Sequence, residues 1–104
     1  MNLVYDLSED CADLRLKWQI RDASVSIMRN IAEGFDSFTD GQFLRYLSIA
    51  KASSGEVRCH LYVAMDRRSF ADADLQPAFR LTDQVSRQIW RLAMSIRSRL
   101  ERGK

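Results

Sequence analysis

The chain has 104 residues, 46% of them apolar and 29% charged, with four Gly, one Pro, two Cys and one His. That is one domain, 1–104, with about half the usual complement of turn-makers, so its elements should be few, long and helical. Disordered, collagenous and disulfide-rich classes are excluded. With chemistry-bearing residues this scarce, no enzyme, metal site, cofactor or small-molecule substrate is expected.

Met1 to Leu7 is apolar at 3, 4 and 7 and is followed by Ser8-Glu9-Asp10. It reads as the last two turns of a helix, too short to stand alone. The first long helix is expected from about Cys11 or Asp13 to Glu33, with Gly34 as its C-terminal stop. On a helical wheel Leu16, Ile20, Ala23, Ile27 and Ile31 form the core stripe. Leu14, Trp18, Val25, Met28 and Ala32 form a second apolar group nearly opposite. A helix apolar on two faces needs two partners, and in so small a domain the second is expected to be another subunit.

Thr39 or Asp40 is placed to cap the second long helix, over roughly 40–67. Phe43, Leu47, Ala50, Ser54, Val57, Leu61 and Ala64 recur at alternating steps of four and three, the seam of a bundle helix. Gly55 belongs to a waist of small residues with Ala50, Ala52, Ser53 and Ser54. A Gly mid-helix costs about 1 kcal/mol, and close helix packing is the expected reason for it. After a turn at Arg68 to Ala73, Asp72 or Asp74 should cap the third long helix, with Pro77 in or near its first turn. Val85, Ile89, Leu92 and Ile96, joined by Leu100, are its expected core. The fold class is all-α.

Charge is unevenly spread. Residues 1–40 carry four basic and eight acidic side chains, residues 41–77 five and four, and residues 78–104 seven and two. On the last helix Arg80, Gln84, Arg87, Arg91, Ser95, Ser98 and Arg102 share a face away from the core, with four Arg and no acid. Arginines spaced along a helix suit a row of phosphates. They also suit pairing with the acidic N-terminal third of the same or a neighbouring chain. Trp90 and Met94 flank this stripe; a subunit contact is expected for them, as for Trp18. Stacking of Trp90 on a base is the alternative. His60 beside Cys59, with Glu56 one turn away, makes neither a dyad nor a metal set, because sequence neighbours on a helix face different ways. Cys11 and Cys59 are expected as free thiols in a cytoplasmic protein. No segment approaches the roughly 18 apolar residues of a membrane span, and no leader is apparent.

Residues 19–34, Gln-Ile-Arg-Asp-Ala-Ser-Val-Ser-Ile-Met-Arg-Asn-Ile-Ala-Glu-Gly, resemble the signature of the bacterial 23S rRNA intervening-sequence proteins, Q-I-R-x-A-x-x-S-I-x-x-N-I-A-E-G. Residues 42–50 are similar to that family's E-F-x-R-F-L-x-I-A segment, and Ser53 to Val57 to its S-x-x-E-L. The resemblance implies an antiparallel up-and-down four-helix bundle assembling into a ring-like homopentamer. A related branch, the accessory proteins of diversity-generating retroelements, forms a basic barrel that binds nucleic acid and a reverse transcriptase. Three departures stand out. Met28 replaces the family's Pro, which should leave the helix straighter. The loop after Gly34 carries Asp36 and Asp40 in place of basic residues. The first helix is truncated to a stub, leaving three long ones. Of the family motif, Asn30 and Glu33 beside Gly34 read as a polar network fixing the helix–loop junction, the alternative being a polar site shared between subunits. The resulting expectation is a cytoplasmic oligomeric scaffold, Trp18, Val25, Met28, Trp90 and Met94 joining subunits and Arg80, Arg87, Arg91 and Arg102 facing RNA, DNA or a nucleoprotein. A purely structural assembly is the alternative.

Overall fold

The computed structural model describes residues 7–103, without the side chains of 7–12 and 72. Three helices account for nearly all of it: α1 (Leu7–Asp36), α2 (Asp40–Arg67) and α3 (Asp72–Arg102). No strand occurs among the described residues. Most of the stub expected over Met1 to Leu7 lies outside them, whereas α1 begins at Leu7, a turn before the expected start at Cys11 or Asp13. A four-helix bundle is therefore not what the described residues form.

Successive helices run antiparallel. Ser26 of α1 bonds Ser53 of α2, and further along α1 Gly34 meets Phe43, nearer the start of α2. In the same sense Arg58 pairs with Asp83 while Tyr62 packs on Phe79. α2 lies in the middle: it touches both other helices, and no Cα of α1 comes within 8 Å of one in α3. The result is an elongated slab of 59 × 22 × 17 Å with a radius of gyration of 17.0 Å, against about 13 Å for a compact domain of this length. So extended a shape leaves much of each helix uncovered.

The seam of α2 is as its spacing predicts: Phe43, Leu47, Ala50, Ser54, Val57, Leu61 and Ala64 are all buried. Leu16, Ala23 and Ile27 of α1 and Leu75, Ile89 and Ile96 of α3 complete the core, with Ile20, Ile31, Val85 and Leu92 partly buried against it. Leu100 departs from expectation, at 37% exposed. It sits at the rim of the α2–α3 cleft, with only one side covered.

The helix ends show where local signals were overridden. Thr39 caps α2, its hydroxyl accepting from the Gln42 N–H at 3.1 Å. At the other end Arg68 takes a left-handed backbone (φ 54°), and its N–H and that of Ser69 close onto Met65 and Ala64 carbonyls. Asp72 and Asp74 do not cap α3. Ala71 occupies that position without a side-chain bond, and the Asp74 and Leu75 N–H groups donate to its carbonyl. Pro77 consequently lies inside the helix, in its second turn. Nor does Gly34 stop α1, which continues through it, and through Met28, to Asp36. Gly34 is there because a Cβ would lie 2.8 Å from the Phe43 ring. Gly55 shows the reverse. It is exposed and no atom of the chain lies within 4 Å of where its Cβ would be, so packing inside the chain does not account for it.

Candidate nucleic-acid interface

α3 docks on α2 through Leu75, Ile89 and Ile96, which turns the opposite side of the helix outward. Arg80, Gln84, Arg87, Arg91, Ser95, Ser98 and Arg102 are all exposed there. From Arg80 to Arg102 the stripe runs roughly 33 Å at 1.5 Å per residue. Its N-terminal half forms a polar depression lined by Arg80, Asp83, Gln84, Arg87, Gln88 and Arg91. The one acid in it, Asp83, is engaged by Arg58 from α2.

Other arginines of α3 are already partnered. Arg99 donates two bonds to Asp40, at 2.9 and 2.7 Å, across to the start of α2. The bonds from Arg99 hold the Asp40 carboxyl below the usual carboxylate range, and the same pair raises Arg99. Arg97 faces Glu101 one turn on, at 3.4 Å. Among the described residues, Arg80, Arg87, Arg91 and Arg102 form no ion pair. The basic helix therefore divides its charge between fixing its ends and an outward row.

The exposed apolar residues fall into separate groups. Leu14 (37% exposed), Trp18 (53%) and Val25 (46%) lie on the outer face of α1, whereas Met28 (67%) turns toward α3 and the Phe35 ring lies 4.9 Å from that of Phe43 in α2. Arg21 covers one side of the Trp18 ring at 5.3 Å. Trp90, half-exposed, and Met94, half-buried, line a cleft between α2 and α3 that no α1 residue enters. The five residues expected to join subunits thus occupy three surfaces: Trp18 and Val25 on the outer face of α1, Met28 at the α1–α3 groove, and Trp90 and Met94 in the α2–α3 cleft. Between α1 and α3 runs a further apolar groove, lined by Ile27, Met28, Ile31, Val85 and Leu92 with Leu47 beneath. Sequence reading missed both the cleft and the groove, because each is formed by helices remote in sequence. It also missed Phe38, 98% exposed in the α1–α2 turn.

The family motif resolves into a joint. Asn30, 7% exposed, donates to the Ser26 carbonyl at 2.8 Å and to the Ser26 hydroxyl at 3.2 Å. That hydroxyl bonds the Ser53 hydroxyl of α2 at 2.8 Å. A buried amide is thereby satisfied by a thread that fixes how α1 and α2 meet. Glu33 does not take part; it is exposed, as is Ala32, while Ile31 is half-buried. Cys59 is exposed and free, and His60 is half-buried. No group of three or more His, Cys, Asp or Glu that could hold a metal occurs among the described residues, and no described helix is long and apolar enough to cross a membrane.

These features define an all-helical protein distinguished by its surfaces, with a motif that serves helix joining. The family model for the 23S rRNA-intervening sequence protein matches residues 1–91, which takes in α1, α2 and much of α3. The chain belongs to that family. No relative among the curated proteins and no solved structure matches it.

Proposed function

We propose that the chain is one subunit of a cytoplasmic homo-oligomeric scaffold, a homopentamer, whose assembled basic surface binds RNA or DNA, bare or within a nucleoprotein. The observation that carries this reading is the outward row of Arg80, Arg87, Arg91 and Arg102, exposed and without acidic partners among the described residues. Repeating the row around a ring multiplies the local potential and the number of phosphates met at once. Assembly is supported by the outer face of α1, where Leu14, Trp18 and Val25 are left in solvent, and by Met28, exposed at the α1–α3 groove. In a four-helix arrangement α1, α2 and α3 are three of the four helices, and the α1–α3 groove is the open side.

A second reading is an assembly without nucleic acid, the arginines pairing with acids of a neighbouring subunit. Its support is the Arg99–Asp40 pair, which already ties α3 to the acidic N-terminal third.

One pair of measurements separates the two. Light scattering should give a particle of about five chains, as expected for cyclic assembly; a well-behaved monomer rejects the scaffold. Gel shifts over a salt series should show binding that weakens steeply with salt, and Arg87→Glu/Arg91→Glu should lower affinity roughly tenfold or more. Absence of binding at low salt rejects the nucleic-acid reading and favours the second.

A further inference from the structure

The α2–α3 cleft lies directly beside the arginine row, and its composition differs from that row. It has a volume of about 460 Å³ and a floor of Leu44, Leu47, Ile89 and Ala93, within the roughly 300–1,000 Å³ common for small-ligand sites. Trp90 forms one wall and Met94 stands beside it. The Trp90 side chain keeps half of its surface in solvent, 51%. The charged residues that line it are Lys51 from α2 and Arg97 and Glu101 from α3. Arg97 is engaged by Glu101, so Lys51 is the rim cation without an ion pair among the described residues. Arg87 and Arg91 sit three residues before and one after Trp90, exposed on the adjoining face.

We propose that this cleft seats an unpaired base of a single-stranded nucleic acid, stacked on Trp90, while Arg87, Arg91 and Lys51 hold the flanking phosphates. The proposal rests on the nucleic-acid reading above and adds the class of strand. An apolar floor and an aromatic wall match the face of a base, and a cationic border matches the backbone on either side of it. A duplex keeps its bases stacked inside and offers the cleft none. The arginine row alone meets phosphates of either form, so the cleft is what distinguishes them.

The test compares a labelled oligo(dT) strand of about 20 nucleotides with a duplex of equal length, by fluorescence anisotropy in low salt. The wild-type protein should favour the single strand. Trp90→Ala should weaken single-strand binding roughly tenfold and leave duplex binding unchanged, while Trp90→Phe, which keeps a stacking face, should retain most of the preference. Circular dichroism melting of both variants reports folding. Equal affinity for strand and duplex, or a Trp90→Phe protein that binds the strand no better than Trp90→Ala, rejects the base seat while leaving the arginine reading intact. A Trp90→Ala protein with a smaller particle mass and both affinities reduced together also rejects it, making the cleft a subunit joint. If wild type binds neither probe, both proposals fall together. If Arg87→Glu/Arg91→Glu leaves both affinities unchanged, the arginine reading falls and takes with it the phosphate contacts of the base seat.

Discussion

Leu47→Ala should melt roughly 10–20 °C below the wild-type protein when the two are compared at equal concentration. Leu47 is 0% exposed and belongs to α2, the helix that packs on both others. It forms part of the floor of the α2–α3 cleft on one side and of the α1–α3 groove on the other. Truncating it removes packing from both interfaces of α2 at once. A fully buried Leu→Ala change costs about 2–5 kcal/mol, more where the surroundings cannot collapse. Domains hold only about 5–15 kcal/mol in reserve, and an elongated one has less core to spare. Leu47→Met, which preserves volume, should cost under about 1.5 kcal/mol. Thermal melts followed by circular dichroism measure both, and a Leu47→Ala protein as stable as wild type removes α2 from its central position.

Gly34→Ala should also destabilise, against the usual gain from replacing a helical glycine. Helix propensity favours Ala by about 1 kcal/mol, and Gly34 does not need a glycine-only backbone, since no described glycine has a positive φ. Space decides the sign. The added methyl would stand 2.8 Å and 3.1 Å from two carbons of the Phe43 ring and 3.4 Å from the Tyr46 Cβ. Phe43 is buried, with the Phe35 ring 4.9 Å away, so it has little room to retreat. Overpacking of this kind costs about 1–3 kcal/mol, and with Phe43 held in place the net loss should reach up to about 2 kcal/mol after the propensity gain is subtracted. Phe43→Leu in the Gly34→Ala background should recover part of that loss relative to its effect on wild type, a coupling a double-mutant cycle detects. Additive effects would show that the ring does not set the glycine.

The difference between what the sequence shows and what it hides follows from the range of the interaction. The seam of α2 and the arginine row are each written on one helix at one period, so both are legible. Gly34 was misread because a glycine closing an apolar pattern is the ordinary mark of a helix end, whereas its cause is the Phe43 ring, nine residues on and across a helix pair. Gly55 was misread in the opposite sense: packing was invoked where the chain leaves open space. Asp72 and Asp74 carry the chemistry of caps, yet the Arg68 turn sets Ala71 at the start of α3. The polar thread could be read only in part. Asn30 is where the motif pointed, but that Ser53 receives it through Ser26 depends on the register of α1 against α2. The cleft beside Trp90 depends on the rotation of α2 relative to α3, which no single-helix pattern contains.

Because α2 packs closely on both other helices, while α1 and α3 share only side-chain grooves with no Cα pair within 8 Å, the molecule amounts to two helical hairpins that share an arm. Contacts of this kind join segments close in sequence, a topology that folds quickly. It also separates the stability of the two halves. α3 is expected to open as a cooperative unit while the α1–α2 hairpin keeps its seam and its Asn30–Ser26–Ser53 thread, so native-state hydrogen exchange should show the basic helix opening at less cost than the whole chain. The surface that carries the arginines is therefore the part of the protein free to adjust without disturbing the joint the family motif encodes.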